Sequence, residues 1–155
     1  METIVRSLLQ SGIHGTSAHP DVAGILDGVD FKSAGMLLQP WSQSIWQVAS
    51  HMDIWARLKL ELFEGRPIEW PEGNGFPADP KPASPEAWDK FKADFKGLFA
   101  RMEEHLRQMD LTRRFQEWDG RTAAEMLGVM INHNSYHAAQ IIAMRKMMGI
   151  WKAGE

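Results

Sequence analysis

Apolar residues recur along most of the chain at steps of three and four, which is the spacing of one face of an α-helix. No segment alternates apolar and polar residues between turn residues, as a half-buried strand would. The pattern therefore predicts an all-α protein. The predicted helices cover residues 2–12, 42–65, 84–110 and 122–148, with shorter helical pieces at 20–28 and 30–38.

Capping signals mark the ends of the longer helices. Ser42 is a good N-cap for the second long stretch, and Gly65 supplies its end. Ser84-Pro85-Glu86 combines a cap, a proline at the first helical position and an acid in the first turn. These signals predict where the helices begin and end, independently of their apolar faces.

The segment 66–83, "RPIEWPEGNGFPADPKPA", contains five prolines and two glycines and is predicted to be a loop. Its 18 residues are enough to carry the chain from one end of a helix to the other. The helices on either side of it can then run parallel. Together with a broken first helix, the three long helices predict a four-helix bundle that forms one domain, residues 1–155.

Histidines interrupt the apolar stripes of the long helices. Three of them, and one glutamine, stand at positions that the three-and-four spacing reserves for buried hydrophobic side chains. The stripe of the second long helix is Val48, His51, Trp55, Leu58 and Leu62, and that of the last is Ala123, Met126, Met130, His133, His137, Gln140, Met144 and Met147.

The position of each histidine along its helix shows which of them can meet. His51, His133 and His137 lie near the midpoints of the predicted helices, and midpoints meet whether neighbouring helices are parallel or antiparallel. His105 lies near the end of its helix, about two turns from the level of the pair. We therefore expect the first three to converge and His105 to stay apart.

Three converging imidazoles are difficult to satisfy with protein groups alone, because an unpaired buried polar group costs about 1–3 kcal/mol. Two histidines four residues apart on one helix, with a third from a facing helix, can hold a divalent metal ion and leave a coordination position open. The alternative is a set of core histidines bonded to Gln140, Asn134 or water. A di-iron carboxylate site is excluded, because the Glu-x-x-His pairs it requires are missing.

Composition narrows the function classes further. The net charge of −3 gives no reason to expect nucleic acid or an anionic membrane as partner. The absence of cysteine excludes disulfides, thiolate ligands and a cysteine nucleophile. No apolar run approaches the ~20 residues of a membrane span, and "METIVRSLLQSG" lacks the features of a signal peptide. We expect a soluble, cytoplasmic protein.

Other candidate residues are weaker. Gln140 is predicted to be an orienting or pocket residue rather than a metal ligand, and Tyr136, the only tyrosine, either donates a proton or simply packs. Trp55 is predicted to be a core residue that also walls the site. His14 and His19 are expected to be solvated.

Two histidine segments, "SIWQVASHMDIW" and "HNSYHAAQI", resemble those of the DinB/YfiT-like family of metal-binding four-helix proteins. The second contains the family's H-x-x-x-H-x-x-Q signature, and the proline-rich crossover and the lead-in "HPDVAGILDGVDFKSAG" also fit. The resemblance implies an up-down-down-up bundle with His51, His133 and His137 as metal ligands around an ion open to solvent. It also implies a homodimer.

The resemblance leaves several activities open. Some relatives are thiol transferases or isomerases, and others are described as metal-dependent hydrolases. Because no carboxylate stands in the helical stripes as a general base, we expect a thiol S-transferase, with a zinc or nickel ion activating a low-molecular-weight thiol that attacks a small-molecule substrate. A hydrolase using the same site, or a non-catalytic metal- or ligand-binding bundle, is the alternative. Arg57, Lys59 and Arg145 are candidates to bind an anionic cosubstrate.

Overall fold

The computed structural model describes residues 2–15 and 19–152, and this part of the chain is mostly helical, as predicted. The predicted single domain, residues 1–155, includes a few residues that the structure does not describe. No described helix is both long and apolar enough to cross a membrane. The helices are α1 (Glu2–His14), α2 (Phe31–Ala34), α3 (Ile45–Phe63), α4 (Pro85–Gln108) and α5 (Ala123–Met147), with 3-10 turns at Val22–Gly24 and Gln116–Trp118.

The four longer helices pack against one another around a single apolar core. α3 lies against α5 over the most extensive contact and also touches α4, while α1 contacts α4 and α5. The apolar positions Val48, Met126, Met130 and Met144 are buried, as their spacing predicts, whereas Met147 at the end of the same stripe is exposed. This packing makes α3 and α5, the two helices that carry the midpoint histidines, direct neighbours.

The N-cap of α3 is Ser44, so the prediction of Ser42 was wrong. Ser44 Oγ accepts a hydrogen bond from the Gln47 backbone N–H at 3.2 Å, and Gln47 Oε1 accepts one from the Ser44 N–H at 3.1 Å. This reciprocal capping box requires Gln or Glu three residues after the cap. Ser42 precedes Ile45 at that spacing and has no such partner.

The starts of α4 and α5 agree with prediction. Ser84 caps α4 by accepting from the Ala87 N–H at 3.1 Å, and Pro85 occupies the first helical position. Thr122 and Glu125 form a second capping box at the start of α5. The segment 66–83 between α3 and α4 contains no helix or strand, as its prolines indicate.

Two local predictions need correction. The helix expected at 20–28 is only the 3-10 turn, capped by Asp21, because Gly24 and Gly28 (φ 76°) do not sustain a helix in so short a piece. A strand pair, β1 (Arg114–Phe115) and β2 (Arg121–Thr122), joins α4 to α5 although no strand was predicted. Two residues are too few to show an alternating pattern.

Candidate metal centre

Three histidines from two helices meet where α3 packs against α5. One ring nitrogen from each of His51, His133 and His137 lies within 4.8 Å of the others, and the ring centroids are 4.5–4.8 Å apart. His51 and His137 are buried, and His133 is partly exposed. The structure thus brings together the three residues that the sequence predicted would converge.

His105 stays apart from this trio, as predicted. Its Nε2 lies 3.3 Å from Glu64 Oε1, which also pairs with Arg101 near the end of α3. A cavity of about 400 Å³ borders His105. Among the described residues, however, it brings together no group of three side chains able to share a metal ion. The candidate centre is therefore the trio alone.

The backbone of the proline-rich loop orients His51. Its Nδ1 lies 2.6 Å from the carbonyl oxygen of Asn74, which also accepts a hydrogen bond from Trp55 Nε1 at 3.2 Å. A carbonyl can only accept, so Nδ1 of His51 carries the proton and donates it. Nε2 of His51 is left as a bare lone pair that points at His133 Nε2, 2.8 Å away.

Gln140 orients His137 in the same way. His137 Nδ1 donates to Gln140 Oε1 at 2.7 Å, which leaves its Nε2 as the free acceptor nitrogen. Gln140 Nε2 in turn lies 3.4 Å from the hydroxyl of Tyr136, whose ring is edge-on to His137. His133 Nδ1 faces Asn134 Oδ1 at 3.4 Å. Gln140 thus contacts His137 and also lines the cavity beside the trio.

The environment keeps all three imidazoles unprotonated at neutral pH. Burial, and to a smaller extent the neighbouring imidazoles, lowers the pKa of His51 and of His133 to about 4 in each case, although the bond to Asn74 opposes this shift at His51. Burial also lowers the pKa of His137, against the opposing effect of its bond to Gln140. The three rings therefore present neutral nitrogens rather than cations.

A divalent ion fits this donor set. Two imidazole nitrogens at 2.8 Å need a proton or a cation between them, and His51 carries its own proton on Nδ1. Either His133 Nε2 donates its proton to His51 Nε2, or the other tautomer of His133 leaves both nitrogens free to bind a cation. Neutral imidazole nitrogens, with their second nitrogens hydrogen-bonded to protein oxygens, are the ligands that zinc and nickel accept. The three histidines could thus hold a metal ion.

The trio opens onto a cavity of about 580 Å³. No described residue that lines it is a carboxylate, a lysine or an arginine. Tyr136 is 63% exposed at the cavity, and Trp55 is partly exposed and lines it. Trp55 lies outside the buried apolar core, so the prediction that it is a core residue was wrong. Besides the histidines, the walls are Gln43, Trp55, Asn74, Phe76, Tyr136 and Gln140.

The three cations considered for an anionic cosubstrate do not line this cavity. Arg57 pairs with Asp53 at 2.9 Å. Lys59 donates to the Trp55 carbonyl at 3.1 Å and lies over the Trp118 ring, and its burial lowers its pKa to about 8. Arg145 is buried and donates to backbone carbonyls. Helical proximity to the histidines was therefore a wrong guide for these residues.

His14 and His19 are only partly exposed and have protein partners, whereas solvated side chains were expected. His14 lies between carboxylates, with Nδ1 3.3 Å from Asp21 and Nε2 3.2 Å from Glu103. His19 Nε2 lies 2.7 Å from Ser135 Oγ on α5. Both are partly buried, and the nearby 3-10 turn Val22–Gly24 packs against α1, α4 and α5. Glu103 and Ser135 are distant in sequence from these histidines, so no local pattern indicated either contact.

Three residues that line the cavity were missed by sequence reasoning: Gln43 lies just before α3, and Asn74 and Phe76 lie in the proline-rich loop. Asn74 contributes its carbonyl oxygen, and the Phe76 ring stacks on His51 with centroids 4.0 Å apart and planes 6° from parallel. The composition of the loop predicted only that it lacks regular structure. A backbone carbonyl leaves no sequence signal, because every residue has one.

Comparison with known proteins agrees with this site. The family model of the DinB superfamily matches residues 29–141, a span that begins before α2 and includes all three histidines. The chain belongs to the DinB superfamily. No curated protein and no solved structure matches this DinB-like chain.

Proposed function

We propose that this DinB-like protein is a metal-dependent thiol S-transferase. His51, His133 and His137 would hold one divalent ion, zinc or nickel, beside the cavity. The observation that supports this proposal is the convergence of three neutral imidazoles at an open cavity whose described lining has no carboxylate. When bound, the ion would lower the pKa of a low-molecular-weight thiol and so favour the thiolate nucleophile.

The cavity favours a thiol over water as the nucleophile. Hydrolysis at such a site benefits from a carboxylate or another general base that removes a proton from water. Among the described lining residues, none outside the three proposed ligand histidines is a carboxylate or an imidazole. A thiol is acidic enough to react without that help. Its sulfur forms a bond to an electrophilic carbon of the second substrate, and the leaving group departs with the thiol proton.

The side chains of the cavity have distinct roles in this proposal. Trp55 and Phe76 offer apolar ring surface to the second substrate, and Gln140 holds His137 in its orientation. The exposed hydroxyl of Tyr136 lines the cavity, where it can give its proton to the leaving group and regain, through solvent, the proton that the thiol releases. Tyr136 is thus the catalytic candidate, and Gln140 a positioning residue.

The same proposal includes the arrangement of the chain. The contacts among α1, α3, α4 and α5 support a four-helix bundle, and the loop 66–83 is long enough to make it up-down-down-up. We further propose a cytoplasmic homodimer. Size-exclusion chromatography with light scattering measures the dimer directly.

Metal analysis of protein purified without a nickel column tests the centre. We expect about one zinc or nickel ion per chain in the wild type and much less in the His51→Ala variant. His105→Ala is the matched control, because it removes an imidazole that lies outside the trio. Wild-type protein with far less than one ion per chain after incubation with zinc would contradict the proposal.

A panel of cellular thiols with a model electrophile tests the activity. Thiol-dependent turnover that His51→Ala loses and His105→Ala keeps is the expected result. Cleavage of ester or amide probes without any thiol would instead identify a hydrolase. Metal-loaded protein with no turnover in either assay would identify a non-catalytic binding protein.

A further inference from the structure

The middle of the proline-rich loop touches the metal-ligand candidate His51 on two sides. We propose that the segment 74–76, here called the loop clamp, is a positioning element that sets the metal affinity of the site. This inference rests on the metal-binding part of the proposed function but not on the identity of the reaction. It assigns a role to a loop that contributes no ligand.

The first contact is the shared carbonyl. Asn74 O accepts from His51 Nδ1 and from Trp55 Nε1, two donors one helical turn apart on α3. Two donors from a rigid helix fix the position of the oxygen, and the oxygen fixes the tautomer of His51. Nε2 of His51 is thereby kept unprotonated and directed at the other two imidazoles.

The second contact is the Phe76 ring. It lies parallel to the His51 imidazole at 4.0 Å, and its edge approaches His137 with centroids 6.3 Å apart. A flat ring against the imidazole face blocks rotation about the Cβ–Cγ bond of His51. Phe76 therefore reduces the conformational freedom that the imidazole would lose on binding an ion.

Gly75 links the two contacts in a conformation that suits glycine. Its φ of 74° lies in the left-handed region, and a Cβ there would meet only ordinary contacts, 3.5 Å from Ile54 and 3.6 Å from Pro71. An alanine at 75 therefore strains the backbone between Asn74 O and the Phe76 ring without a steric clash. It perturbs the clamp and leaves every side chain of the site intact.

Coupling of this kind is reciprocal. If the closed clamp increases metal affinity, then bound metal must stabilise the closed clamp by the same factor. The free loop opens more often than the metal-bound loop, so its backbone amides exchange faster with solvent. The Gly75 N–H, which donates to Glu72 O at 3.2 Å, is one reporter of that opening.

Zinc titration with a competing chelator tests the clamp directly. We expect about tenfold weaker zinc binding by Phe76→Leu and by Gly75→Ala, and nearly wild-type binding by Phe76→Tyr, which keeps the stacked ring. Gly65→Ala is the matched control: Gly65 has φ of 72° with no atom near its added Cβ, at the end of α3 away from the site. Cobalt spectra of the variants report changes at the ligands themselves.

Hydrogen exchange on the wild-type protein is an independent measurement that needs no variant to fold. Addition of zinc should slow exchange in peptides covering 72–76 and leave β1 and β2 unchanged. Equal zinc affinity of Phe76→Leu and the wild type, or zinc-independent exchange in the clamp, would overturn this inference alone. A wild-type protein that binds no zinc would overturn the proposed function as well.

Discussion

The hydrogen bond from His137 to Gln140 offers a sharp test of the metal centre. Replacing Gln140 by methionine keeps the length of the side chain and removes the oxygen that accepts from His137 Nδ1 at 2.7 Å. The net free energy contributed by a hydrogen bond of this kind is about 1 kcal/mol. It is about twice as large when the donor ring becomes more positive on binding a cation. We therefore expect a loss of about 1.4–2.7 kcal/mol, which is 10- to 100-fold in metal affinity.

Competition with a chromophoric chelator measures that affinity at neutral pH. Gln140→Glu should bind at least as tightly as the wild type, since a carboxylate is a stronger acceptor for the same N–H. Gln43→Met is the matched control, because Gln43 lines the same cavity and its Oε1 accepts from Ser42 rather than from an imidazole. Wild-type affinity in Gln140→Met, or equal weakening in Gln43→Met, would refute the reasoning.

Three further predictions concern stability and are measured by urea unfolding. Ser44→Ala should lower the free energy of unfolding by about 1–2 kcal/mol through loss of the α3 capping box, whereas Ser42→Ala should change it by less than about 0.5 kcal/mol. Arg145→Met should cost about 2–4 kcal/mol, since the buried guanidinium donates to two backbone carbonyls at 3.0 and 2.6 Å; a cost below about 1 kcal/mol would contradict this. Asp30 is the N-cap of α2, and the hydrogen bond from the Ser33 N–H lowers the pKa of its carboxyl below the ordinary 3.8. The ionised Asp30 therefore stabilises the fold above pH 3.8, and this stabilisation is lost as the pH falls through the lowered pKa of the folded state. Asp30→Asn should therefore lose less stability than the wild type on acidification from about pH 6 to about pH 2.

The ligand candidates were predictable because their signal is local. His133 and His137 stand four residues apart on a helix whose apolar spacing identifies its buried face. His51 stands at a matching position and depth on α3. Helix periodicity fixes direction and rise along each helix, so the meeting of the three required only that α3 and α5 be neighbours.

The N-cap of α3 was also within reach of the sequence. Ser44 with Gln47 matches the capping-box spacing, while Ser42 was chosen for its place after the Pro40-Trp41 pair. A two-residue strand such as β1 is different, because too few residues carry the pattern. Local rules therefore predict an element when specific residue types at a fixed spacing mark it, or when an apolar pattern repeats over several turns.

The sequence by itself determined the helices, most of their caps and the identity of the three histidines, because these depend on residues within a turn or two of one another. Only the tertiary structure decided which groups surround the three histidines. It places Asn74 and Phe76 of the loop against His51. Arg57, Lys59 and Arg145 lie outside the cavity lining, and His14 and His19 contact residues far along the chain. Such contacts join residues far apart in the chain. They depend on how the elements pack, and loop composition contains no information on where a carbonyl oxygen will lie.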